Sequence, residues 1–354
     1  MRQVTGVQVC DASNAGKGTG AGLINRAIIT MMLLFVLWMS ASAQNPFLKD
    51  IVVAQDGSGN FRTIQEAVNS VRDLSDKSNH VTIHIRKGVY REKVVIPSWK
   101  TSITLVGESK ESTIISWDDF SGKANAGGTD AYKLAKFSTY TSYTVLVQGN
   151  DIVMDSLTIE NTAGRVGQAV ALHVEGDRFV IRNSNILGNQ DTLYATKEGS
   201  RQYYENCLIV GTTDFIFGEA IALFMNCTIK SLVNSFITAA STRQGQSFGY
   251  VFIGCKLVAD TAAKKVFLGR PWRPYAQTVF IDCEMGSHIL PEGWNPWKGD
   301  AMWPEKEKTA YYGEYNSKGE GGKKEKRVAW SHILTRKEAS KYTVANIFKG
   351  WNPI

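Results

Sequence analysis

Two aspartates, Asp191 and Asp214, are the residues whose type and spacing best suit catalysis. Asp191 lies seven residues after Ser184, and Asp214 lies seven residues after Cys207. Their separation of 23 residues equals the spacing of a sequence repeat at that point of the chain. If the repeats stack in parallel, the two Cα atoms lie about 5 Å apart, and carboxyl groups this close do not ionise equally. One would keep its proton while the other is a carboxylate, which is an acid and base pair suited to hydrolysis.

An outward-facing ladder of aspartates at a turn is the structural alternative for this pair. Asp214 is followed by Phe215, Ile216 and Phe217, which are apolar rather than solvating neighbours. This context favours a buried pair over a solvated ladder.

Ser247 is a second candidate nucleophile, because residues 245–249 match the GxSxG pattern of serine esterases. That pattern needs a strand, a sharp turn and then a helix, which together present the serine. Here it runs into residues 250–255, which belong to a strand of the repeat. We therefore interpret Ser247 as a turn residue.

The elements that would position these side chains are predicted from the repeat itself. Six segments share the pattern apolar-x-x-small-x-apolar: 153–159, 180–186, 204–209, 224–229, 252–257 and 280–285. The small residue recurs at spacings of 28, 23, 20, 28 and 28 when Ser156 is taken as the first. Units of this length accommodate about three short strands with their turns, and no amphipathic helix separates them. The pattern predicts an all-β fold, a parallel β-helix whose stacked coils bury one continuous core.

Four cysteines fall at the small position of the repeat: Cys207, Cys227, Cys255 and Cys283. Equivalent residues on adjacent coils lie about 4.8 Å apart, so disulfides are sterically possible. Because serine occupies the same position in earlier repeats, we favour a buried ladder of small side chains. The chain has no CxxC motif and its five histidines show no ligand spacing, so no metal site is predicted.

Atypical segments at both ends are predicted to cover the stack. An amphipathic N-terminal helix follows from apolar residues at helical spacing: Ile64, Ala67, Val68, Val71 and Leu74. A short C-terminal helical tail is predicted over residues 335–348. Solenoids need such terminal units because their end coils would otherwise expose the core.

The N-terminal 43 residues have the pattern of a secretory signal peptide. Arg26 precedes thirteen mostly apolar residues, and small residues precede a cleavage site after Ala43. The apolar stretch is too short to span a bilayer. We therefore predict that residues 1–43 are removed and that residues 44–354 form a single domain. The protein would be secreted, to the extracellular space, cell wall or periplasm, with no membrane span.

Composition excludes several classes of protein. The chain has 354 residues, of which 43% are hydrophobic and 21% charged, so it is neither disordered nor collagen-like. The formal net charge of +7 favours a polyanionic partner, whether nucleic acid, anionic lipid or an acidic polymer, and by itself names none of them. The basic residues at 323–327 are interpreted as a solvated loop, and no nucleic-acid partner is predicted.

Beyond these patterns, the chain resembles the pectinesterase (pectin methylesterase) family. Five of the family's motifs occur in order: GVYRE at 88–92, QAVAL at 168–172, QDTLY at 190–194, DFIFG at 214–218 and LGRPW at 268–272. The resemblance extends over residues 51–353 and implies a right-handed parallel β-helix. It also implies hydrolysis of the C6 methyl esters of pectin (methylated homogalacturonan), with release of methanol. No cofactor is implied, a monomer is expected, and the inhibitor-like pro-region of many plant members has no counterpart.

The resemblance assigns roles to three residues of the chemistry. Asp214 would be the nucleophile that attacks the methyl ester. Asp191 would protonate the departing methanol and then act as the base that activates water. Gln190 would stabilise the oxyanion.

Four further residues would bind substrate. Gln168 would line the site, and Arg270 would hold the nucleophile ionised with its planar, always charged fork. Trp272 would stack on a sugar ring, and Thr139 matches a substrate-contacting threonine of the family. An insertion-like stretch at 117–136 would alter the shape of the cleft.

Three alternatives remain open at this stage. A polygalacturonate-active glycosidase or lyase would use the same fold and substrate polymer, and glycosidases also need two carboxylates. Arg270 beside Gln190 suits a carbonyl oxyanion better than an oxocarbenium ion. A serine esterase built on Ser247 and a noncatalytic polysaccharide-binding solenoid are the others.

Overall fold

Short parallel strands, three to each coil, make up most of the regular structure. A computed structural model describes residues 47–130 and 132–354. The predicted signal segment and its cleavage site after Ala43 lie outside the described residues. Residues Leu48–Ile354 form one compact unit.

The first strand of each coil belongs to sheet 1, which has eleven parallel strands. In spatial order they are β1 (Asp50–Val53), β2 (Val81–Ile85), β5 (Ile103–Gly107), β8 (Ile152–Asp155), β11 (Phe179–Arg182), β14 (Arg201–Glu205), β17 (Ile221–Met225), β20 (Tyr250–Ile253), β23 (Gln277–Ile281), β25 (Tyr311–Tyr315) and β26 (His332–Ile333).

The other two strands of each coil form sheets 2 and 3. Sheet 2 contains β3 (Gly88–Tyr90), β6 (Thr113–Trp117), β9 (Thr158–Asn161), β12 (Asn185–Leu187), β15 (Leu208–Gly211), β18 (Thr228–Ser231), β21 (Lys256–Ala259) and β24 (Glu284–Met285). Sheet 3 contains β4 (Val94–Ile96), β7 (Val145–Val147), β10 (Leu172–Val174), β13 (Leu193–Ala195), β16 (Ile216–Gly218), β19 (Phe236–Ala240) and β22 (Phe267–Gly269). The chain visits sheets 1, 2 and 3 in turn, so the predicted parallel β-helix is confirmed.

Side chains of one type stack above each other in the core because neighbouring strands pair in register. Tyr204, Phe224, Phe252 and Phe280 form one such stack, with successive ring centroids 4.6, 4.4 and 4.4 Å apart. All four are fully buried. Offset aromatic pairs at this spacing add stability beyond the area they bury.

The cysteine ladder is present, and its four members are buried free thiols. The Cys207 and Cys227 thiols donate to backbone carbonyls of the coil before them, at Ile181 and Tyr204. The predicted buried ladder of small side chains is therefore present at these four positions.

The first spacing of the predicted repeat is wrong by one residue. β8 pairs with β11 so that Asp155 lies beside Arg182, an offset of 27 residues. Ser156 is therefore level with Asn183, and both adopt left-handed turns, with φ of 56° and 51°. Leu157, buried in the core, takes the position equivalent to Ser184. Serine suits both the turn and the ladder, so its presence alone did not fix the register.

The N-terminal helix α1 (Ile64–Ser70) is shorter than its periodicity predicts. Thr63 and Glu66 form a capping box at its start. The helix ends at Ser70 because Val71 is extended, and the predicted last position, Leu74, is 74% exposed. The helix packs against β1, β2 and β4, at the end of the stack where sheets 1 and 3 begin, and so covers the core there.

The C-terminal tail differs from the single capping helix that was predicted. It forms two short helices, α2 (Arg336–Ala339) and α3 (Val344–Phe348), because Thr343 is extended and caps a new helix start. Ile347 and Phe348 pack on Tyr203 and Leu223, on the outer face of sheet 1. The tail therefore covers the side of the β-helix rather than its end.

Four short 3₁₀ turns complete the described elements: Lys77–Asn79, Thr139–Thr141, Lys306–Lys308 and Glu320–Gly322. Within the described part of the chain, no helix is long and apolar enough to cross a membrane.

Candidate active site

Asp191 and Asp214 occupy equivalent positions on adjacent coils, each two residues before a strand of sheet 3. Leu193 of β13 pairs with Ile216 of β16, which places the two aspartates level. Both have left-handed backbones, with φ of 63° and 49°. Such backbones are uncommon for residues other than glycine and concentrate at functional sites. The predicted pair is therefore brought together at one turn of the helix.

Both carboxyl groups are buried, but the charges that act on their pKa values differ. Asp191 and Asp214 are only 7% and 6% exposed. Burial and the nearby Asp214 charge raise the pKa of Asp191 well above its usual range. Burial also raises the pKa of Asp214, but Arg270 opposes this rise. The arrangement favours a protonated Asp191 beside an ionised Asp214.

Arg270 causes the difference between the two aspartates because its guanidinium group binds only Asp214. Its Nε donates to Asp214 Oδ1 at 3.0 Å and its Nη2 to Oδ2 at 2.6 Å. The guanidinium carbon lies 4.0 Å from the ring centroid of Phe236 and 3.5 Å from that of Trp297. Two ring contacts and two charge-assisted hydrogen bonds fix the fork in place.

Gln168 and Gln190 lie beside each other on adjacent coils, where a parallel bridge joins them. The Ala169 amide donates to the Gln190 carbonyl at 3.1 Å. Neither side-chain amide has a hydrogen-bond partner among the described residues, and both side chains are only partly buried. Within the described residues, both side-chain amides therefore remain free to contact a ligand.

Thr139 opens the 3₁₀ turn Thr139–Thr141, which follows the insertion-like stretch. Asp130 fastens this stretch, because its carboxylate accepts from the amides of Tyr132 and Leu134 and from the Thr141 hydroxyl at 2.7 Å. The stretch is thus folded against the turn that carries Thr139.

Trp272 lies two residues after Arg270 and is partly buried. Its backbone amide donates to the Ala240 carbonyl at 2.9 Å. Its ring meets the Phe217 ring edge-on at 5.8 Å, and the Arg273 guanidinium lies 4.5 Å from its centroid. The ring is thereby held at the edge of the site rather than in the core.

All seven predicted site residues line one cavity of about 230 Å³. Its other walls are Tyr140, Phe217, Ala239 and Trp297. A neighbouring cavity of about 640 Å³ shares Tyr140 and Trp272 with it. The site is thus one part of a longer groove on the outer face of sheet 3.

Sequence reasoning missed the aromatic residues that hold Arg270 and close the cavity. Phe217 lies in a quoted motif, and strand alternation would have placed it on the outer face. Phe236 stacks on Phe267, 5.5 Å away, as its register in sheet 3 dictates. Trp297 belongs to a loop, and no periodicity indicated its direction.

Ser247 lies away from this cavity, in an exposed bend that leads into β20. Its hydroxyl contacts only Lys349 Nζ, at 3.5 Å, among the described residues. The segment therefore has the predicted turn geometry and lacks the helix of a nucleophile elbow.

Known proteins provide an independent comparison. A family model of pectinesterases matches residues 50–351. "Probable pectinesterase/pectinesterase inhibitor 64" of Arabidopsis thaliana is 37% identical over 325 residues, which are 85% of this chain and 51% of the relative. The chain spans about half the length of the first curated relatives that it matches.

Solved structures agree with this family match. Pectin methylesterase from carrot has a TM-score of 0.75 at 34% identity, covering 85% of this chain and 93% of the carrot chain. A pectin methylesterase in complex with a hexasaccharide has a TM-score of 0.74 at 29% identity, covering 86% and 98%. These structures are right-handed parallel β-helices, which confirms the predicted fold class. The chain belongs to the pectinesterase family.

Proposed function

We propose that the chain hydrolyses the C6 methyl esters of pectin, through a covalent intermediate on Asp214. The observation that carries the proposal is the asymmetric carboxyl pair: two level, buried aspartates of which only Asp214 is held by the Arg270 fork. Such a pair supplies a nucleophile and an acid at the same pH. Membership of the pectinesterase family agrees with this assignment.

In the first half-reaction, an Asp214 carboxylate oxygen attacks the ester carbonyl carbon. The carbonyl oxygen becomes an oxyanion, which the Gln190 side-chain amide stabilises by donating a hydrogen bond. When the tetrahedral intermediate collapses, the bond from carbon to the methoxy oxygen breaks. The Asp191 proton passes to that oxygen, and methanol leaves.

In the second half-reaction, water attacks the same carbonyl carbon of the acyl-enzyme anhydride. Asp191, now a carboxylate, takes one proton from the water and so regains its starting form. The bond to Asp214 then breaks, which releases the galacturonate carboxyl group and restores the nucleophile.

The remaining residues bind and orient the polymer. Arg270 keeps Asp214 ionised and fixes the direction of its oxygens. Gln168 and Thr139 contribute polar contacts in the cavity, and Trp272 offers its ring to a sugar at the cavity edge. A relative of this fold binds a hexasaccharide, which supports an extended methyl-esterified homogalacturonan as the substrate. Such a substrate supports secretion of the enzyme, to the extracellular space, cell wall or periplasm.

An assay of products from methylated pectin tests the proposal. We expect methanol release with no change in polymer length. Asp214→Asn should remove this activity, whereas Ser247→Ala should keep it within a few-fold of the parent. Shortening of the polymer without methanol would favour a glycosidase or lyase. Binding without any product would favour a noncatalytic solenoid. A hundredfold loss in a folded Ser247→Ala variant would favour a serine esterase.

A further inference from the structure

Lys306 is a buried cation close to the site, and the proposed chemistry does not use it. Its side chain is 0% exposed, and its Nζ lies 2.6 Å from Asp300 Oδ2. Desolvating two charges is unfavourable, and their mutual attraction offsets this cost only when the geometry is good. A buried ion pair therefore does not by itself stabilise the fold. The contacts that Lys306 makes near the site indicate another role for it.

The contacts of Lys306 lead directly to the groups that hold the nucleophile. Its Nζ lies 4.5 Å from the centroid of the Trp297 ring, the same ring that contacts Arg270 at 3.5 Å. It also donates to the backbone carbonyl of Trp272 at 3.4 Å. The Lys306 ammonium group therefore contacts both the Trp297 ring that packs on Arg270 and the segment that carries Trp272.

The charged groups around Lys306 and Asp300 determine how this ion pair acts on Asp214. The pKa of Asp214 is influenced by Arg270 and Lys306, and the Asp214 charge in turn acts on Asp191 and on the phenol of Tyr312. Lys306 is influenced by Asp300, Arg270 and Arg273. Burial lowers the pKa of Lys306 while Asp300 opposes that change, and the Lys306 charge in turn lowers the pKa of Asp214.

We propose that Lys306 is a positioning residue of the site, which fixes Trp297 against Arg270 and places a second positive charge behind the Arg270–Asp214 pair. The inference rests on the proposed function, since it assigns Lys306 a part in keeping the nucleophile ionised. Asp300 partly neutralises the Lys306 charge and orients the Lys306 side chain. Its other carboxylate oxygen accepts from the amides of Met302 and Trp303, at 3.1 and 3.2 Å, which holds the loop in place.

Opposite charge changes at the two partners separate this role from a purely structural one. Lys306→Met removes a positive charge and makes Asp214 easier to protonate, so the acid limb of the activity profile should move to higher pH. Asp300→Asn removes the negative charge that partly neutralises Lys306. Asp214 then becomes harder to protonate, so the same limb should move to lower pH. Each shift should be about half a pH unit, the size expected for one charge at partly screened distance.

The experiment is the pH dependence of kcat/KM for methanol release by the full chain and three variants. The matched control is Lys308→Met, since Lys308 lies on the same 3₁₀ turn but is 65% exposed and paired with Glu305. We expect opposite shifts for Lys306→Met and Asp300→Asn, and an unchanged profile for Lys308→Met.

Three results would overturn the inference: unshifted acid limbs in folded Lys306→Met and Asp300→Asn, shifts in the same direction for both, or an equal shift in Lys308→Met. If Lys306→Met does not fold, the direction of the Asp300→Asn shift decides, because Asn keeps the acceptor for the two loop amides. Failure of the parent chain to release methanol would instead contradict the proposed function.

Discussion

At the scale of single residues, the two aspartates have the same backbone conformation and a similar degree of burial. They differ because only one of them is bound by an arginine side chain. Arg270 binds both oxygens of Asp214, at 3.0 and 2.6 Å. The pKa of Asp191 is raised well above the ordinary value, and that of Asp214 is raised against the opposing charge of Arg270. Because the carboxyl groups interact, the pH dependence belongs to the pair rather than to either residue alone.

Activity should therefore depend on pH with two limbs. On the acid side, activity falls when the pair takes up a second proton. Since burial raises the pKa of both groups, this fall should begin at a higher pH than for an exposed aspartate. On the alkaline side, activity falls again when Asp191 loses its proton. Asp214→Asn and Asp191→Asn should each remove most turnover, and the double variant should be scarcely worse, because groups that act as one unit are not additive.

Rates of methanol release against pH, with circular dichroism of each variant, check this prediction. Asp260→Asn is a suitable control and should leave the rate unchanged, because the Asp260 side chain is 43% exposed and lines neither cavity of the groove. A single aspartate variant with near-parent kcat and an intact fold would exclude the carboxylate-pair mechanism.

The position of Trp272 leads to a prediction about binding. Its ring borders both the 230 Å³ cavity and the larger one beside it. A sugar stacked on this ring would be held equally in the ground state and the transition state. Trp272→Ala should therefore raise KM several-fold and change kcat little, the pattern of lost uniform binding.

Steady-state kinetics on methylated pectin measure both constants. Trp99→Ala, at a tryptophan that is 52% exposed and lines neither cavity, should change neither constant. A large fall in kcat at constant KM would instead place Trp272 in the chemical step.

At the scale of strands and turns, the repeat spacing predicted most of the architecture and the placement of the two aspartates, whereas the other five site residues came from the family resemblance. The offset of 23 residues between Asp191 and Asp214 is the register of β13 on β16, so spacing alone placed them level. It did not reveal the clamp on Arg270, since Trp297 comes from a loop without periodicity. The spacing also did not reveal that the C-terminal tail packs on the side of the β-helix. The tail does so because the outer face of sheet 1 is apolar around Leu223.

The aromatic stack in the core gives a prediction for stability at this scale. Phe252 is fully buried between Phe224 and Phe280, with both centroids 4.4 Å away. Phe252→Ala would leave a cavity that in-register neighbours cannot fill, so the free energy of unfolding should fall by about 3–5 kcal/mol. Denaturant titration followed by circular dichroism measures this loss.

Val258→Ala is the comparison for this variant, because Val258 lies on β21 of a neighbouring sheet but is 38% exposed. Its cost should be well below 1 kcal/mol, roughly the ±0.5 kcal/mol of most surface changes. Equal losses in the two variants would mean that the stack contributes no more than an ordinary surface contact.

For the molecule as a whole, burial of the Asp191–Asp214 pair opposes folding. An aspartate whose pKa is higher in the folded protein than in the unfolded chain must take up a proton, or remain charged at a cost, when the chain folds. Asp191 is such a group, because burial raises its pKa well above 3.8. Asp177 is the opposite case. Burial acts to raise its pKa, but ion pairs with Arg201 and Arg178, at 2.6 and 2.7 Å, lower it below 3.8.

Asp191→Asn should therefore stabilise the protein while it removes activity. Below pH 3.8 Asp191 is protonated in both states, so the substitution changes little. As pH rises from there towards the folded pKa, the unfolded chain loses its proton while the folded protein retains it, so the gain in Tm should grow to a few degrees and then level off. Asp177→Asn should lower Tm at neutral pH, and this loss should vanish as the pH falls through the folded pKa of Asp177. Calorimetry from about pH 2 to pH 8, a range that extends below the ordinary aspartate pKa, compares the two variants with the parent. A gain in Tm for Asp191→Asn that did not depend on pH would mean that packing, rather than the buried charge, limits stability at the site.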